Sequence, residues 1–201
     1  GLVTVGAVNM TEFAYSGIGL NPHHGTPRNP RDPKVARSPG GSSSGSGAVV
    51  AAGIVPLSIG TDTGGSIRIP AAFNGVVGYK TSTGHYPMDG VFPLSRTLDT
   101  LGPLARTVED CVLADTVLRG LAAPSVRAAD IAALDLVIPD LVMFDTLDPA
   151  VAAAFEATVA RLGGAGARIR PIALPELAET VAAMGRYGPL TSAEALDVHW
   201  D

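Results

Sequence analysis

Apolar residues fall in short runs separated by glycine- and proline-rich polar stretches, and the runs predict strands and helices in alternation. Residues 1–5 read as a buried strand, and 9–15 as the opening of a helix with Glu12 near its first turn. Residues 17–40 form a loop, because Pro22, Pro27, Pro30, Pro33 and Pro39 forbid a helix through them. A loop of this length inside a domain is expected to pack along a functional site. The small apolar side chains of 46–53 predict a buried helix stopped at Gly53, and 57–60 a short strand that delivers Asp62 to Ser66 at its end. Another strand is expected over 75–80, followed by a loop over 81–95 leading into Leu-Ser-Arg-Thr-Leu-Asp-Thr-Leu-Gly-Pro-Leu-Ala-Arg-Thr.

Thr107 is a good N-cap for a helix running to Arg119, with Glu109 and Asp110 in its favourable first turn. Residues 134–138 are apolar without alternation, as in a strand buried on both faces. Asp148 and Pro149 open the next helix, Gly163 and Gly164 end it, and 168–172 suggest one more strand. That strand–helix–strand order argues for parallel pairing. Residues 176–184 and 192–199 are helical candidates.

The rest of the chain is organised around 38–71, where a Gly/Ser tract passes through a small-residue apolar run into Asp-Thr-Gly-Gly-Ser-Ile-Arg-Ile-Pro. A flexible linker would explain the first tract alone, but not the buried run behind it or the second glycine pair. Two backbone loops brought into one site explain both. Glycines directly before a serine let successive N–H groups turn toward one point. Thr63, Gly64, Gly65 and Ser66 therefore suit an oxyanion hole around a nucleophile. A phosphate loop would need Gly-Lys-Ser/Thr, and no lysine lies between Arg37 and Lys80. A Gly-x-Ser-x-Gly elbow is absent, since Ile67 and Arg68 follow Ser66. The four histidines, His23, His24, His85 and His199, read as surface or loop residues, so a base other than histidine must serve Ser66.

Gly-Gly-Ser-Ser-Ser-Gly at 40–45, Gly60, Asp62, Gly64 and Ser-Ile-Arg-Ile-Pro-Ala at 66–71 together resemble the amidase signature along its whole length. The resemblance implies an α/β fold with a mixed β-sheet flanked by helices on both faces. It also implies a Ser–cis-Ser–Lys triad, in which Ser66 is the nucleophile and Ser42, behind a cis peptide bond, is the proton relay. Ser42 would pass the proton of Ser66 to a lysine kept neutral by burial, and return it toward the leaving amine. By the same resemblance, Gly41, Ser43, Asp62 and Arg68 frame the site, Arg68 as an ion-pair partner of Asp62 rather than a substrate contact. Asp99 is expected to be a structural acceptor.

The family's lysine lies well upstream of the cis-serine, and counting back from Ser42 runs off the start of the chain. Lys34, in a polar loop, and Lys80, at a strand end, are the two lysines present, and neither is assigned as the base. Gly-Ala-Val-Asn-Met-Thr-Glu-Phe-Ala at 6–14 departs from the family at Ala7, where a non-catalytic lysine is common. The expectation is that 1–201 is part of a single amidase-signature domain, without its catalytic-lysine segment and its C-terminal part, and inactive alone.

Composition agrees: 46% hydrophobic residues with 24 glycines and 16 prolines fit a loop-rich α/β enzyme. A net charge of −5 without a basic run gives no reason to expect direct nucleic-acid binding. The single cysteine, Cys111, reads as a core thiol, so neither a disulfide framework nor a metal site is expected, and the default location is the cytoplasm. No apolar run reaches membrane-spanning length. The expected activity is hydrolysis of a small carboxylic amide without metal or organic cofactor. The alternatives are the A subunit of a tRNA-dependent amidotransferase, which takes ammonia from glutamine, and a truncated or degenerate domain without turnover. A homodimer or amidotransferase partner subunits are the compatible assemblies.

Overall fold

The computed structural model describes residues 2–122, 129–140 and 146–200. Along the chain the elements run α1 (Ser44–Ala51), β1 (Leu57–Asp62), α2 (Arg68–Asn74), β2 (Val77–Gly78), β3 (Thr100–Ala105), α3 (Val108–Leu118), β4 (Asp135–Asp140), α4 (Pro149–Gly164), β5 (Arg168–Ala173), α5 (Pro175–Tyr187) and α6 (Leu190–His199). They divide into two units, one made of residues 2–122 with 190–200 and the other of 129–140 with 146–189. Among the described residues no helix is long and apolar enough to cross a membrane.

The first unit is built on a three-stranded antiparallel sheet in the order β1-β3-β2. Its central strand, β3, is absent from the sequence expectation, because Pro103 lies in the middle of it and proline argues against a central strand. The structure accommodates Pro103 where the β2 ladder ends, after Gly78 pairs with Leu104. The Pro103 carbonyl still accepts from the N–H of Tyr79 at 3.0 Å, and the missing N–H costs only a bond that would have prolonged β2. The strand expected over 75–80 is correspondingly shortened to Val77–Gly78. Beneath this sheet Ile67, Ala71 and Leu104 form the core, with Val76 against them. The residue after Ser66 is thus fully buried, which fixes the loop that carries the serine.

Two expectations for the first residues are corrected. Gly1 lies outside the described residues, and 2–5 form no strand, with Val3 86% and Val5 78% exposed. An apolar run becomes a strand when a neighbour supplies the ladder, and none is hydrogen-bonded to it among the described residues. The helix expected at 9–15 is only a 3-10 turn, Glu12–Ala14, with Phe13 and Ala14 at positive φ. Its backbone groups are used elsewhere: the Asn9 carbonyl accepts from Gly45 N at 2.8 Å, and Thr11 N donates to the Ser42 carbonyl at 3.0 Å.

The proline-rich loop is ordered by side chains that mimic turns. Asn21 Oδ1 accepts from the N–H groups of His23 and His24, and Asp32 Oδ1 from those of Lys34 and Val35. Its middle is anchored to the end of α2, through Asn29 Nδ2 to the Phe73 carbonyl (2.8 Å) and Arg31 Nε to the Asn74 carbonyl (2.7 Å). α3 has the expected cap, Thr107 Oγ1 accepting from Asp110 N at 3.1 Å.

In the second unit β4 and β5 pair in parallel around α4, as their order along the chain implies. Asp148 caps α4, accepting from Ala150 N at 2.8 Å.

Candidate active site

Two loops meet where α1 crosses β1. In the first, the peptide bond between Gly41 and Ser42 is cis. Gly41 N donates to the Gly17 carbonyl at 2.8 Å, and the Ser42 carbonyl accepts from Thr11 N and from Ser44 N. The Ser42 side chain is fully buried, and its hydroxyl has no hydrogen-bond partner among the described residues. Buried hydroxyls are nearly always paired; that of Thr11 is the other buried hydroxyl left without a partner among the described residues.

The hydroxyls of Ser43, at the N-cap of α1, and of Ser46 within it hold the first loop against β1. Ser43 Oγ accepts from Thr61 N at 3.2 Å and lies 3.3 Å from the Thr61 carbonyl, while Ser46 Oγ donates to the Ile59 carbonyl at 2.8 Å. Both serines thus serve β1 groups that its ladder with β3 leaves over. Gly60 permits this approach, since a Cβ there would stand 2.6 Å from Ser43 Oγ. The Ser43 N–H donates across to the Ser66 carbonyl at 3.2 Å and ties the two loops directly.

The second loop is wound around the carboxylate of Asp62, which is fully buried. Oδ1 accepts from Gly65 N (2.8 Å) and Arg68 Nη2 (3.0 Å). Oδ2 accepts from Ile67 N (3.1 Å), Arg68 N (3.3 Å) and Arg68 Nε (3.0 Å). Burial alone would push the Asp62 carboxyl up, but the Arg68 guanidinium and the backbone N–H groups outweigh it and hold the carboxyl below the usual range. Arg68 is therefore committed to Asp62, with its side chain half-exposed beyond the pair. Gly65 adopts φ 135°, a conformation that side chains resist, which lets its N–H reach inward to Asp62.

This geometry changes one expectation for the oxyanion hole. The Gly65 amide is already engaged by Asp62, whereas those of Thr63, Gly64 and Ser66 have no acceptor among the described residues. Thr63 is held by its side chain, Oγ1 bonding Asp99 Oδ1. Asp99 Oδ2 accepts from Leu94 N (2.8 Å) and Ser95 N (3.0 Å), so this residue is the structural acceptor expected of it.

Gly41, Ser42, Ser43, Asp62, Thr63, Gly64, Gly65, Ser66 and Arg68 are thus brought together, although no hydrogen bond joins the hydroxyls of Ser42 and Ser66. Neither lysine reaches them. Lys34 is exposed, and Lys80 Nζ donates to the Thr81 carbonyl at 2.7 Å. Cys111 is a core thiol, pushed up to about 11 first by burial and then by Asp110. Among the described residues no group of three or more His, Cys, Asp or Glu is placed to hold a metal ion.

Sequence reasoning missed three supports. Thr100 Oγ1 donates to the Asp62 carbonyl at 2.8 Å from the unforeseen strand β3. Glu194 of α6 accepts from Ser95 Oγ (2.5 Å) and Thr97 Oγ1 (2.7 Å), a contact across so many residues that no local pattern announces it. His85, read as a loop histidine, pairs with Asp115 at 2.7 Å, where the buried Tyr86 hydroxyl also donates at 2.6 Å. The His-Tyr dipeptide was its only signal.

Known proteins resemble the chain in sequence and in fold. The chain is 44% identical over 204 residues to a 2-amino-5-chloromuconic acid deaminase from Comamonas testosteroni, covering 98% of this chain and 44% of that protein. A crystal structure described as an amidase superposes with a TM-score of 0.83 at 41% identity, covering 96% of this chain and 42% of that one. The A subunit of the glutamyl-tRNA(Gln) amidotransferase of Thermotoga maritima superposes with a TM-score of 0.84 at 31% identity, over 98% of this chain and 45% of that one. The chain thus spans less than half the length of these relatives. The family model described as Amidase matches residues 1–197, so the chain, with its signature and its α/β fold, belongs to the amidase family.

Proposed function

We propose that the protein carrying this chain hydrolyses a small carboxylic amide through an acyl-enzyme on Ser66. One observation supports this above the others: a fully buried serine hydroxyl without a partner among the described residues, behind a cis peptide bond, on a loop tied to that of Ser66 by Ser43 N–Ser66 O.

In this mechanism Ser66 Oγ attacks the amide carbon while its proton passes to Ser42 Oγ, and the Ser42 proton passes on to a base. The amides of Thr63, Gly64 and Ser66 receive the oxyanion. Collapse breaks the C–N bond, the nitrogen takes a proton back through Ser42, and ammonia or an amine departs. Water then attacks the ester by the same relay and releases the acid. The contact between the two hydroxyls tightens in the substrate complex, as catalytic hydrogen bonds commonly do. The base is a lysine by family resemblance, and Lys34 and Lys80 do not fill that role. We place the reaction in the cytoplasm, the compartment that suits one buried, unpaired cysteine.

A second reading, favoured by the likeness to the Thermotoga maritima protein, makes the chain part of an amidotransferase component that takes ammonia from glutamine for a partner. Ammonia release from glutamine that rises on adding the partner selects this reading.

The test is covalent labelling of the whole protein with a fluorophosphonate, read by intact mass. Ser66→Ala abolishes the adduct; a stable adduct in that variant refutes the assignment. Ser42→Ala lowers turnover by about 10²- to 10⁴-fold with an unchanged circular dichroism spectrum. Normal turnover in that folded variant removes Ser42 from the relay.

A further inference from the structure

α6 grips the turn ahead of β3 with one side chain. Glu194 Oε2 accepts from Ser95 Oγ at 2.5 Å and from Thr97 N at 3.1 Å, and Oε1 accepts from Thr97 Oγ1 at 2.7 Å. The turn closes on itself through the Ser95 carbonyl, which accepts from Leu98 N at 3.3 Å and from Asp99 N at 2.9 Å. Asp99 in turn accepts from Leu94 N and Ser95 N with Oδ2, and its Oδ1 bonds Thr63 Oγ1. Ser95 is the pivot, fully buried, with its hydroxyl on Glu194 and its N–H on Asp99. A line of hydrogen bonds therefore runs Glu194–Ser95–Asp99–Thr63 without a gap, and it ends three residues before Ser66.

The far end of that line is fixed. Tyr15 Oη bonds Ser192 Oγ, Ala195 is buried, and the ring of His199 stands 4.9 Å from that of Phe13 and 5.4 Å from that of Phe92. At the near end, the Thr63 amide has no acceptor among the described residues. Its direction is set by what holds the residue: the pairing of Asp62 with Thr100 at the end of β1, and the side-chain bond to Asp99. Bonds to a carboxylate are stronger than those between neutral groups, so the two acids, Glu194 and Asp99, are the stiff members of the line. An amide that receives developing charge acts through being aimed beforehand, and an error of about 1 Å can cost about 10²-fold in rate.

We propose that Glu194 is a positioning residue for the oxyanion amides: it fixes Ser95, and through Ser95 and Asp99 it aims Thr63. The proposal rests on the reading of Ser66 as nucleophile and of the Thr63 amide as an oxyanion donor, and it adds α6 to that machinery.

The test is fluorophosphonate labelling of Ser66 in the whole protein, resolved into a maximal rate and a half-saturating probe concentration, because the phosphoryl oxygen takes the place of the oxyanion. Glu194→Ala lowers the maximal rate about 10- to 100-fold, with the half-saturating concentration and the circular dichroism spectrum unchanged. Glu194→Gln, which can meet the same three groups because a hydroxyl also accepts, restores the rate to within about threefold. In a Thr63→Val background, Glu194→Ala costs less than about twofold more, since both changes break one line. A wild-type rate in Glu194→Ala, a loss confined to the half-saturating concentration, a Gln variant no better than Ala, or the full loss repeated on Thr63→Val overturns the proposal while leaving the nucleophile standing. If Glu194→Ala does not fold, Glu194→Asp, which keeps the charge but withdraws it by one methylene, is judged by the same readings. Absence of labelling in the unmodified protein counts against the proposed function instead, and the positioning is then read by hydrogen exchange. Exchange over 62–67 that Glu194→Ala quickens by about threefold or more, with α3 unaffected and Glu194→Gln like the unmodified protein, upholds it; equal exchange in all three proteins overturns it.

Discussion

Replacing Asp62 with alanine removes the acceptor on which five N–H donors converge, two of them the buried amides of Gly65 and Ile67. A buried donor left unpaired costs about 1–3 kcal/mol, so these two amides alone account for about 2–6 kcal/mol. The Arg68 guanidinium adds less, because its side chain is 54% exposed and regains water when its partner is lost. We expect a net loss of about 3–4 kcal/mol for Asp62→Ala, read from urea denaturation of the whole protein by circular dichroism. Fluorophosphonate labelling should slow as well, since Gly65 loses its anchor. Asp62→Asn provides the control on charge. It keeps one acceptor oxygen but turns an NH₂ group toward donors, and it cannot ionise. The wild-type carboxyl titrates below its unfolded value of about 3.9, so its stabilisation is complete above that pH and is lost as pH falls through the lower folded value. The stability gap between wild type and Asp62→Asn must therefore narrow on acidification. A loss under about 1 kcal/mol for Asp62→Ala, or a gap that does not narrow in acid, refutes this account of the loop.

Gly60→Ala places a methyl group 2.6 Å from Ser43 Oγ and 2.9 Å from Ser43 Cβ, which forces α1 away from β1. We expect about 1–3 kcal/mol of destabilisation by urea denaturation, with slower fluorophosphonate labelling, and unchanged labelling would show that Ser43 does not set the spacing of the loops. Tyr86→Phe removes one donor from Asp115, whose carboxyl is held low by the hydroxyl of Tyr86, by His85 and by Arg119 against the opposing effect of burial. Because His85 and Arg119 remain, the expected loss is about 1–2 kcal/mol, and an unaltered thermal midpoint would place this cluster outside the stability of the fold.

What could be read in advance follows the range of the forces involved. Gly41 to Ser43, Asp62 and Arg68 were placed by their likeness to the amidase signature, whereas the run from Thr63 to Ser66 was legible because its glycines answer a local backbone demand. Thr107 and Asp148 were legible as caps for the same reason. β3 was not: Pro103 is a strand breaker by local rules, and only its neighbour Tyr79 shows that the lost N–H falls at the end of a ladder. Residues 9–15 failed in the opposite sense, since their helix-like pattern yields to backbone bonds with Ser42 and Gly45. His199 and Glu194 carry no local pattern at all. They matter through rings and hydroxyls 97 or more residues away, and such contacts become visible only when the chain has folded.

The hydroxyls of Ser43 and Ser46 do more than satisfy β1. By gripping alternate backbone carbonyls of one strand, they couple the helix behind Ser42 to the strand ahead of Ser66 as a single lever. A displacement of the sheet then carries the loops of Ser42 and Ser66 in common. The proton transfer proposed between these two serines, which tolerates very little error in distance, would thereby be insulated from the softness of the surrounding loops.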